Sequence, residues 1–576
     1  MKKFLYSIIS LGLALGLASC QPEVLMPETS ADPITSVTAK VKINGADVEF
    51  TGYPVKGSNV ITIEFPWFYP VESDNLLPLA VLSEAKMTAV LANNVVITEP
   101  ITIMDLTQEN RITVIDQVKE SHEYIITGKI TKLALCDILD FSIPALNLAG
   151  IVKDATSTVS VLAVDELPKT LASVTLSPHA TISPDPRVEE LDYNQELTFT
   201  VTAHDGVTKR TYKVNKEIPP KRDNGMRVGS EKIMFEKQLN ADLGITTPDM
   251  TTGLAVSGDY LIINTRAEDP MVLNRFTGEK VGSMAIDAIK GSTTNFYMTS
   301  DDDGNILFCN LTPNDGTTFK IWAAADINTA PSLYIEHDAS YIADDGSTQG
   351  NSHGRKISIT GSINSDAIIT APFYGPNNTQ YLRWYVKDGQ LQSATPENIT
   401  IQGLATGWTT NCDICYVDPT ETSDYFAHYY SGNSLSWITG STHTKKAGLN
   451  VMSVNYIPNA VDILKFNRGT YLVTNQANSF SWGGADFVWL LDVSTTDNYS
   501  GGLDADYNED SKPKSNAVLW QTYHTYGPRV IPDAPINANG NSDVILAPSA
   551  DGYYMYMYFM FCNGYVVGVQ FDCLDM

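Results

Sequence analysis

The sequence predicts an all-β protein: two tandem Ig-like β-sandwich repeats followed by a β-propeller, with six blades as the first count and seven as the next. Three observations lead there. Short runs of Val, Ile, Thr, Tyr and Phe alternate with Gly, Asn, Asp and Pro turns, and helix-period stretches are scarce. One strand pattern in the first half recurs at an offset of 87 residues. Beyond residue 225 the rhythm changes to strand-turn-strand units at wider spacing, as expected of propeller blades. The expected divisions are 1–19 as signal peptide, 20–32 as flexible tether, 33–130 and 131–216 as the two repeats, 217–225 as linker, and 226–576 as propeller.

Lys2 and Lys3 precede an uncharged apolar run from Phe4 to Leu17. That run is short for a membrane-spanning helix, which needs about 20 apolar residues, and it reads as a secretory signal. It ends in Leu17-Ala18-Ser19-Cys20, which resembles the bacterial lipobox. The resemblance implies cleavage before Cys20 and lipid on its thiol; ordinary signal cleavage beside an incidental cysteine is the competing reading. Two or three acyl chains suffice for stable membrane attachment. Gln21 to Asp32 carry Pro, Glu, Ser and Thr with little apolar periodicity and suit a tether. Glu23 and Glu28 faintly resemble the acidic surface-export signal of Bacteroidetes lipoproteins. The expected location is therefore the outer membrane, on the cell surface in preference to the periplasmic face.

The repeat is clearest where Asp105-Leu-Thr-Gln-Glu-Asn-Arg-Ile-Thr-Val114 matches Asp192-Tyr-Asn-Gln-Glu-Leu-Thr-Phe-Thr-Val201. One inserted residue later, Tyr124-Ile-Ile parallels Tyr212-Lys-Val. Each copy is thus a pair of alternating strands joined by a turn. In the second copy the turn is His204-Asp205-Gly206, a strong hairpin signal. Phe199 to Gly206 and Thr211 to Val214 resemble the closing hairpin of Ig-like repeats in Bacteroidetes surface lipoproteins of unassigned function. That resemblance implies a spacer or binding module. Glu217 to Gly225, with Pro-Pro and Asn-Gly, has linker composition.

In the propeller region Asn274-Arg-Phe-Thr-Gly-Glu-Lys280 resembles a hairpin of many bacterial propellers. Ser230 to Lys237 is expected to close the ring by joining the sheet made from Tyr553 to Phe571. In that last run Tyr554, Tyr556 and Tyr558 alternate with Met555, Met557 and Phe559, so both faces are bulky and the strand belongs between packed blades.

The formal charge is −28, and loss of Lys2 and Lys3 with the signal makes it −30. Such a field disfavours nucleic acid and anionic lipid, and no Lys/Arg cluster stands out along the chain. No H-E-x-x-H, G-x-S-x-G or P-loop spacing occurs, and His337, His353, His428, His443 and His524 are scattered. No catalytic residue is assigned and no cofactor is expected. Cys412-Asp413-Ile414-Cys415 lacks a second zinc-type pair, so buried thiols are the preferred reading. Ser300 to Ile306 resembles part of the Asp-box of sialidase-like propellers, a structural turn even there, and Asp303-Gly304 reads as a hairpin turn. Asp504, Asp506, Asn508 and Asp510 alternate like a calcium loop. Glu509 stands where Gly is expected and Ser515 where a bidentate Glu is expected, so a solvated acidic loop is preferred over calcium.

Asp413, Asp462 and Asp543 each precede an aliphatic residue in corresponding strands. They are placed either along a central channel or in bonds to the backbone of the next blade, the latter preferred. Aromatic residues in polar, turn-rich stretches suit the stacking of sugar rings. Trp408, Trp482, Tyr523 and Tyr526 are the candidates, whereas Trp384 and Trp489 read as core. The expected function is a non-catalytic glycan-binding surface lipoprotein beside an outer-membrane transporter. A tethered propeller hydrolase or lyase, and an adhesion or scaffold protein, are the alternatives.

Overall fold

The protein is described by a computed structural model covering residues 32–375, 377–429, 435–450, 456–479, 486–503, 515–523 and 525–575, the side chains of 456, 457, 459 and 523 excepted. Among these residues the only helical elements are three short 3-10 turns, and the rest of the regular structure is strand. The signal peptide, Cys20 and nearly all of the tether lie outside the described residues. The chain divides into two compact units, residues 1–218 and 219–576.

The first unit contains two β-domains, each with its own apolar core; the first is built from two four-stranded sheets, whereas the second is one seven-stranded sheet and not the two-sheet Ig-like sandwich the sequence predicts. In the first domain Val60–Pro66 runs parallel to Ser121–Thr131, and in the second Thr158–Leu162 runs parallel to Lys209–Glu217. The 87-residue repeat falls on equivalent hairpins. Asn110–Ile115 pairs with Ser121–Thr131, placing Ile112 opposite Tyr124; Leu197–Thr202 pairs with Lys209–Glu217, placing Phe199 opposite Tyr212. Both tyrosines are buried. The repeated Asp serves one purpose in both copies. Asp105 accepts the Thr107 N–H at 3.0 Å, and Asp192 accepts the Asn194 N–H at 3.1 Å, so each carboxylate folds the turn that launches the hairpin. In the second copy Gly206 takes φ +73° and Asp205 accepts the N–H groups of Val207 and Thr208. The first copy, without Asp-Gly, makes its turn with Asp116 as acceptor and Lys119 at φ +67°.

The second unit is a six-bladed propeller. Its blades start with the inner strands Thr251–Ser257, Tyr297–Ser300, Ser358–Gly361, Cys412–Tyr416, Tyr456–Phe466 and Ser542–Pro548, numbered here as blades 1 to 6. Each inner strand packs beside the next, and Ser542–Pro548 packs beside Thr251–Ser257, so the ring closes. Closure also joins the two ends of the domain. Lys232–Gln238 forms the outer strand of blade 6 by pairing antiparallel with Tyr565–Asp572, as the sequence predicts. Arg227 clamps this seam with a forked ion pair to Asp572, at 2.8 and 2.6 Å. Every residue of Tyr554–Phe561 is at most 8% exposed. At about 1.5–3 kcal/mol for each large buried side chain, that strand is a major contributor to the blade packing.

The stretch 217–225 is not a free linker. Glu217 ends a strand of the second domain's seven-stranded sheet. Lys221 bridges to Leu574, Arg222 N–H donates to the Cys573 carbonyl, and Gly225 N–H donates to the Asn467 carbonyl. The Pro and Gly content reflects close backbone docking rather than freedom: Gly225 takes φ +72°, and a Cβ there would meet the Tyr471 hydroxyl at 2.7 Å.

A tight contact between neighbouring inner strands is at Gly253 of blade 1. A Cβ there would sit 2.3 Å from the Met298 carbonyl oxygen of blade 2. Backbone cannot yield as a flexible side chain would. Gly253→Ala is expected to cost about 1–3 kcal/mol by overpacking, read as a lower urea midpoint; an unchanged midpoint would show that the inner strands can slide apart without penalty.

Candidate functional site

A polar cluster fills the axis of the propeller. Lys356, just before the inner strand of blade 3, reaches the Asp543 carboxylate of blade 6 at 2.7 Å and the Ser542 carbonyl at 3.0 Å. Blades 3 and 6 are opposite in a ring of six, so this pair spans the axis. Tyr297 of blade 2 donates its hydroxyl to Asp543 at 2.9 Å, and its ring lies 4.4 Å from the Lys356 ammonium. Lys356 and Asp543 side chains are 3% and 2% exposed. Ser358 donates its hydroxyl to Asp413, which is also buried.

The three inner-strand aspartates each hold the next blade. Asp413 accepts the Val461 N–H of blade 5 at 2.9 Å. Asp462 accepts the Leu546 N–H of blade 6 at 2.7 Å, and Asp543 accepts the Leu254 N–H of blade 1 at 2.7 Å. The other junctions use related bonds. Val256 N–H donates to the Ser300 hydroxyl at 2.8 Å, Ile363 N–H donates to Asp301 at 2.9 Å, and the Thr360 hydroxyl donates to the Tyr416 carbonyl at 3.0 Å. The Asp-box-like segment is a structural turn: Asp301 accepts the N–H groups of Asp303 and Asn305, and Gly304 takes φ +85°.

Burial sets the electrostatics of this cluster. It pushes the Asp413 carboxyl up to about 6, with Lys356 pulling the other way. Burial also raises Asp462 well above the ordinary carboxylate range. Burial lowers the His353 and His428 imidazoles to about 3, so both are neutral near pH 7. Asp413 and Asp462 already accept backbone N–H groups of the next blade.

The proposed aromatic sites separate. Trp408 is fully buried, its indole N–H donating to the Phe373 carbonyl and its ring packed on Tyr429. The expected rim position is therefore corrected to core. Thr-Gly-Trp looked like a solvated loop, but Gly407 is there because a Cβ would sit 2.4 Å from Asn377 backbone. Tyr526 is likewise buried at 6% exposure, donating its hydroxyl to Glu236 and packing on Phe559 and Tyr565. Tyr523 lies in the outer strand of blade 5, but its side chain is outside the description. Trp482, and Asp504, Asp506, Asn508 and Asp510, lie outside the described residues. Trp384 and Trp489 are buried. Cys412 and Cys415 are buried free thiols. Cys412 packs in the core between blades 3 and 4, and Cys415 in the core between blades 4 and 5, so they point to opposite faces of one strand and cannot share a metal.

The two faces of the propeller differ. In an antiparallel four-stranded blade the first and third connections lie on one face, and the second connection and the link to the next blade lie on the other. The first face has short turns such as 258–259, 362–366 and 467–468, together with the long third connection of blade 5, 493–517, and the chain also enters and leaves there. The opposite face carries the long links 239–250, 284–296, 339–357, 401–411 and 525–541.

The fold defines a six-bladed propeller protein preceded by two β-domains. The chain belongs to the family of the domain of unknown function DUF8500, whose model matches residues 233–572. The domain of unknown function DUF5018 matches residues 15–128, and the domain of unknown function DUF8499 matches residues 138–216. Among solved structures, a DUF4623 family protein from Bacteroides eggerthii is 14% identical, with 76% of this chain and 98% of that one covered and a TM-score of 0.43. The β-propeller domain of Myceliophteria thermophila Cps50 (Swd1) is 12% identical, with 55% and 84% covered and a TM-score of 0.30. No curated protein matches. Among the described residues no helix is long and apolar enough to cross a membrane.

Two predictions follow from this geometry. The folded chain holds a proton on Asp413 at pH values where the unfolded chain, with an ordinary value near 3.8, has released it. Its stabilising contribution is therefore complete below about pH 3.8 and is lost as pH rises through about 6. Asp413→Asn keeps an acceptor for Val461 and removes the titration. Relative to the variant, the wild type is expected to lose up to about 3 kcal/mol between pH 4 and 7, read from urea midpoints; a pH-independent difference would show that Asp413 does not titrate there. Trp408→Ala is expected to cost about 3–5 kcal/mol as a core deletion. A melting temperature close to wild type would return Trp408 to the surface.

Proposed function

We propose that this protein is a non-catalytic surface lipoprotein, anchored through Cys20, whose propeller binds glycans on its long-link face for an outer-membrane transporter. The observation that carries the reading is the commitment of the ring carboxylates. Two-carboxylate glycoside hydrolysis needs an acid and a base or nucleophile about 5–10 Å apart across a cleft open to the sugar. Asp413, Asp462 and Asp543 instead hold neighbouring blades, and Lys356 with Tyr297 occupies the axis between them. Binding then belongs to the loops, and the long links are gathered on the face away from the chain's entry and exit. Of the aromatic candidates, Trp482 and Tyr523 remain as stacking residues. The negative charge of the chain suits neutral or weakly charged ligands.

Purified mature protein run on native gels containing a panel of polysaccharides is expected to be retarded by at least one of them without product formation. New reducing ends or unsaturated sugars would make it an enzyme, and unchanged mobility on every polysaccharide would favour a protein-binding scaffold. Cys20→Ala is expected to move the protein from the membrane to the soluble fraction; continued membrane association would remove the lipid anchor from the proposal.

A further inference from the structure

The long-link face brings together two arginines that are far apart in the sequence. Arg266 follows the second strand of blade 1, and Arg355 lies in the link from blade 2 to blade 3. Both connections are on that face. A chain of contacts joins them. The Arg266 guanidinium stacks on Phe296 at 4.7 Å, Phe296 N–H donates to the Cys309 carbonyl, and the Cys309 thiol touches the Gly354 carbonyl at 3.5 Å. Gly354 is pressed into this junction, since a Cβ there would lie 1.8 Å from the Asn310 carbonyl oxygen. Arg355 is the next residue, and its guanidinium lies over the Tyr374 ring at 5.2 Å.

Neither arginine has a carboxylate partner. Among the described residues no ion pair includes Arg266 or Arg355, and the Nε of each is buried without a hydrogen-bond acceptor. Arg266 donates one Nη to the Asp249 carbonyl, but the Asp249 carboxylate is turned away to the Ala538 N–H and the Asn563 amide. Burial lowers the pKa of both guanidiniums, and the Arg355 charge lowers that of Arg266 further, so the two repel. Two partly buried, unpaired like charges are costly for a fold that gains nothing from them. Guanidinium forks are matched to planar or tetrahedral oxyanions. Phe296 and Tyr374 each hold one fork against an aromatic face, and the Nε of each arginine is left without an acceptor.

We infer that Arg266 and Arg355 form an oxyanion receptor on the long-link face, built for the carboxylate or sulfate of an acidic saccharide. The inference deepens the glycan-binding reading and rests on it for the saccharide, though not for the oxyanion. The net charge of −28 opposes a long polyanion, so the fitting ligand is a short oligosaccharide with few anionic groups. This site was invisible as a sequence cluster because its two cations are 89 positions apart.

The test uses the full mature protein, Arg266→Gln, Arg355→Gln and the double variant. Calorimetry is run with an oligogalacturonate, a sulfated oligosaccharide and a neutral cello-oligosaccharide. Thermal melts are run in sodium sulfate against sodium chloride at equal ionic strength. The wild type is expected to bind one of the two acidic sugars, and which one identifies the anion. Each single variant should weaken that binding by roughly tenfold or more, as for loss of a charge-assisted bond. The variants should melt no lower than wild type, because an uncompensated cation has been removed. Sulfate should raise the wild-type melting temperature by more than that of the double variant, whose rise is the general salting-out effect. Equal acidic-sugar binding by wild type and double variant would overturn the site, as would variants that melt lower while binding normally. Binding of the neutral sugar alone would overturn this inference and leave the glycan reading standing. An excess sulfate stabilisation of wild type over the double variant, with no sugar bound, would keep the receptor and remove the glycan reading.

Discussion

Six separate sheets stay around one axis only if their inner strands are tied to one another. Inside a propeller the side chains interlock between blades, but the inner strands leave backbone N–H groups facing the next blade. A buried N–H without an acceptor costs on the order of 1–3 kcal/mol. Here the acceptors are side chains. Three aspartates tie blade 4 to 5, 5 to 6 and 6 to 1, and hydroxyls or a carboxylate tie the remaining junctions. The last of these aspartates, Asp543, sits where the ring closes, and it is the one that also takes Lys356 and Tyr297.

This use of charge has consequences for function. A carboxylate buried to serve a backbone amide is costly unless it is neutralised or paired. Lys356 pairs Asp543 from the opposite blade, while Asp413 and Asp462 are pushed toward the protonated form. The axis is thereby filled by the groups that stabilise it. The described links between successive blades share one face. The arginines at that face show the opposite arrangement: charge placed without a carboxylate partner inside the molecule.

Much of the architecture was legible because it follows short-range rules. The hairpin pairing of Ile112 with Tyr124 and of Phe199 with Tyr212 was visible as a repeat, including the one-residue insertion in the turn. The closing strand and the buried Tyr/Met strand of blade 6 were visible in their alternation. The three inner-strand aspartates were visible as a recurring Asp-aliphatic pair, and their preferred role as backbone acceptors matches the bonds observed. Less of the site was legible. Lys356 and Tyr297 carry no local signature, since a lysine before one strand and a tyrosine within another mean something only when blades 2, 3 and 6 converge. Trp408 and the stretch 217–225 misled for a shared reason: Gly, Pro and Thr mark solvated turns, yet they also mark places where two backbones approach too closely for a side chain.

By itself the sequence determined what depends on neighbours along the chain: strand alternation, hairpin turns, the repeat, the blade rhythm, and the absence of familiar catalytic spacing. Only the tertiary structure decided which polar groups face one another. It placed Lys356 against Asp543 across the axis, buried Trp408 and Tyr526, sent Cys412 and Cys415 to opposite cores, and brought Arg266 near Arg355. The physical reason is that burial and Coulomb interaction depend on distance through space, and in a ring of blades the groups that meet at the axis are separated by whole sheets of chain.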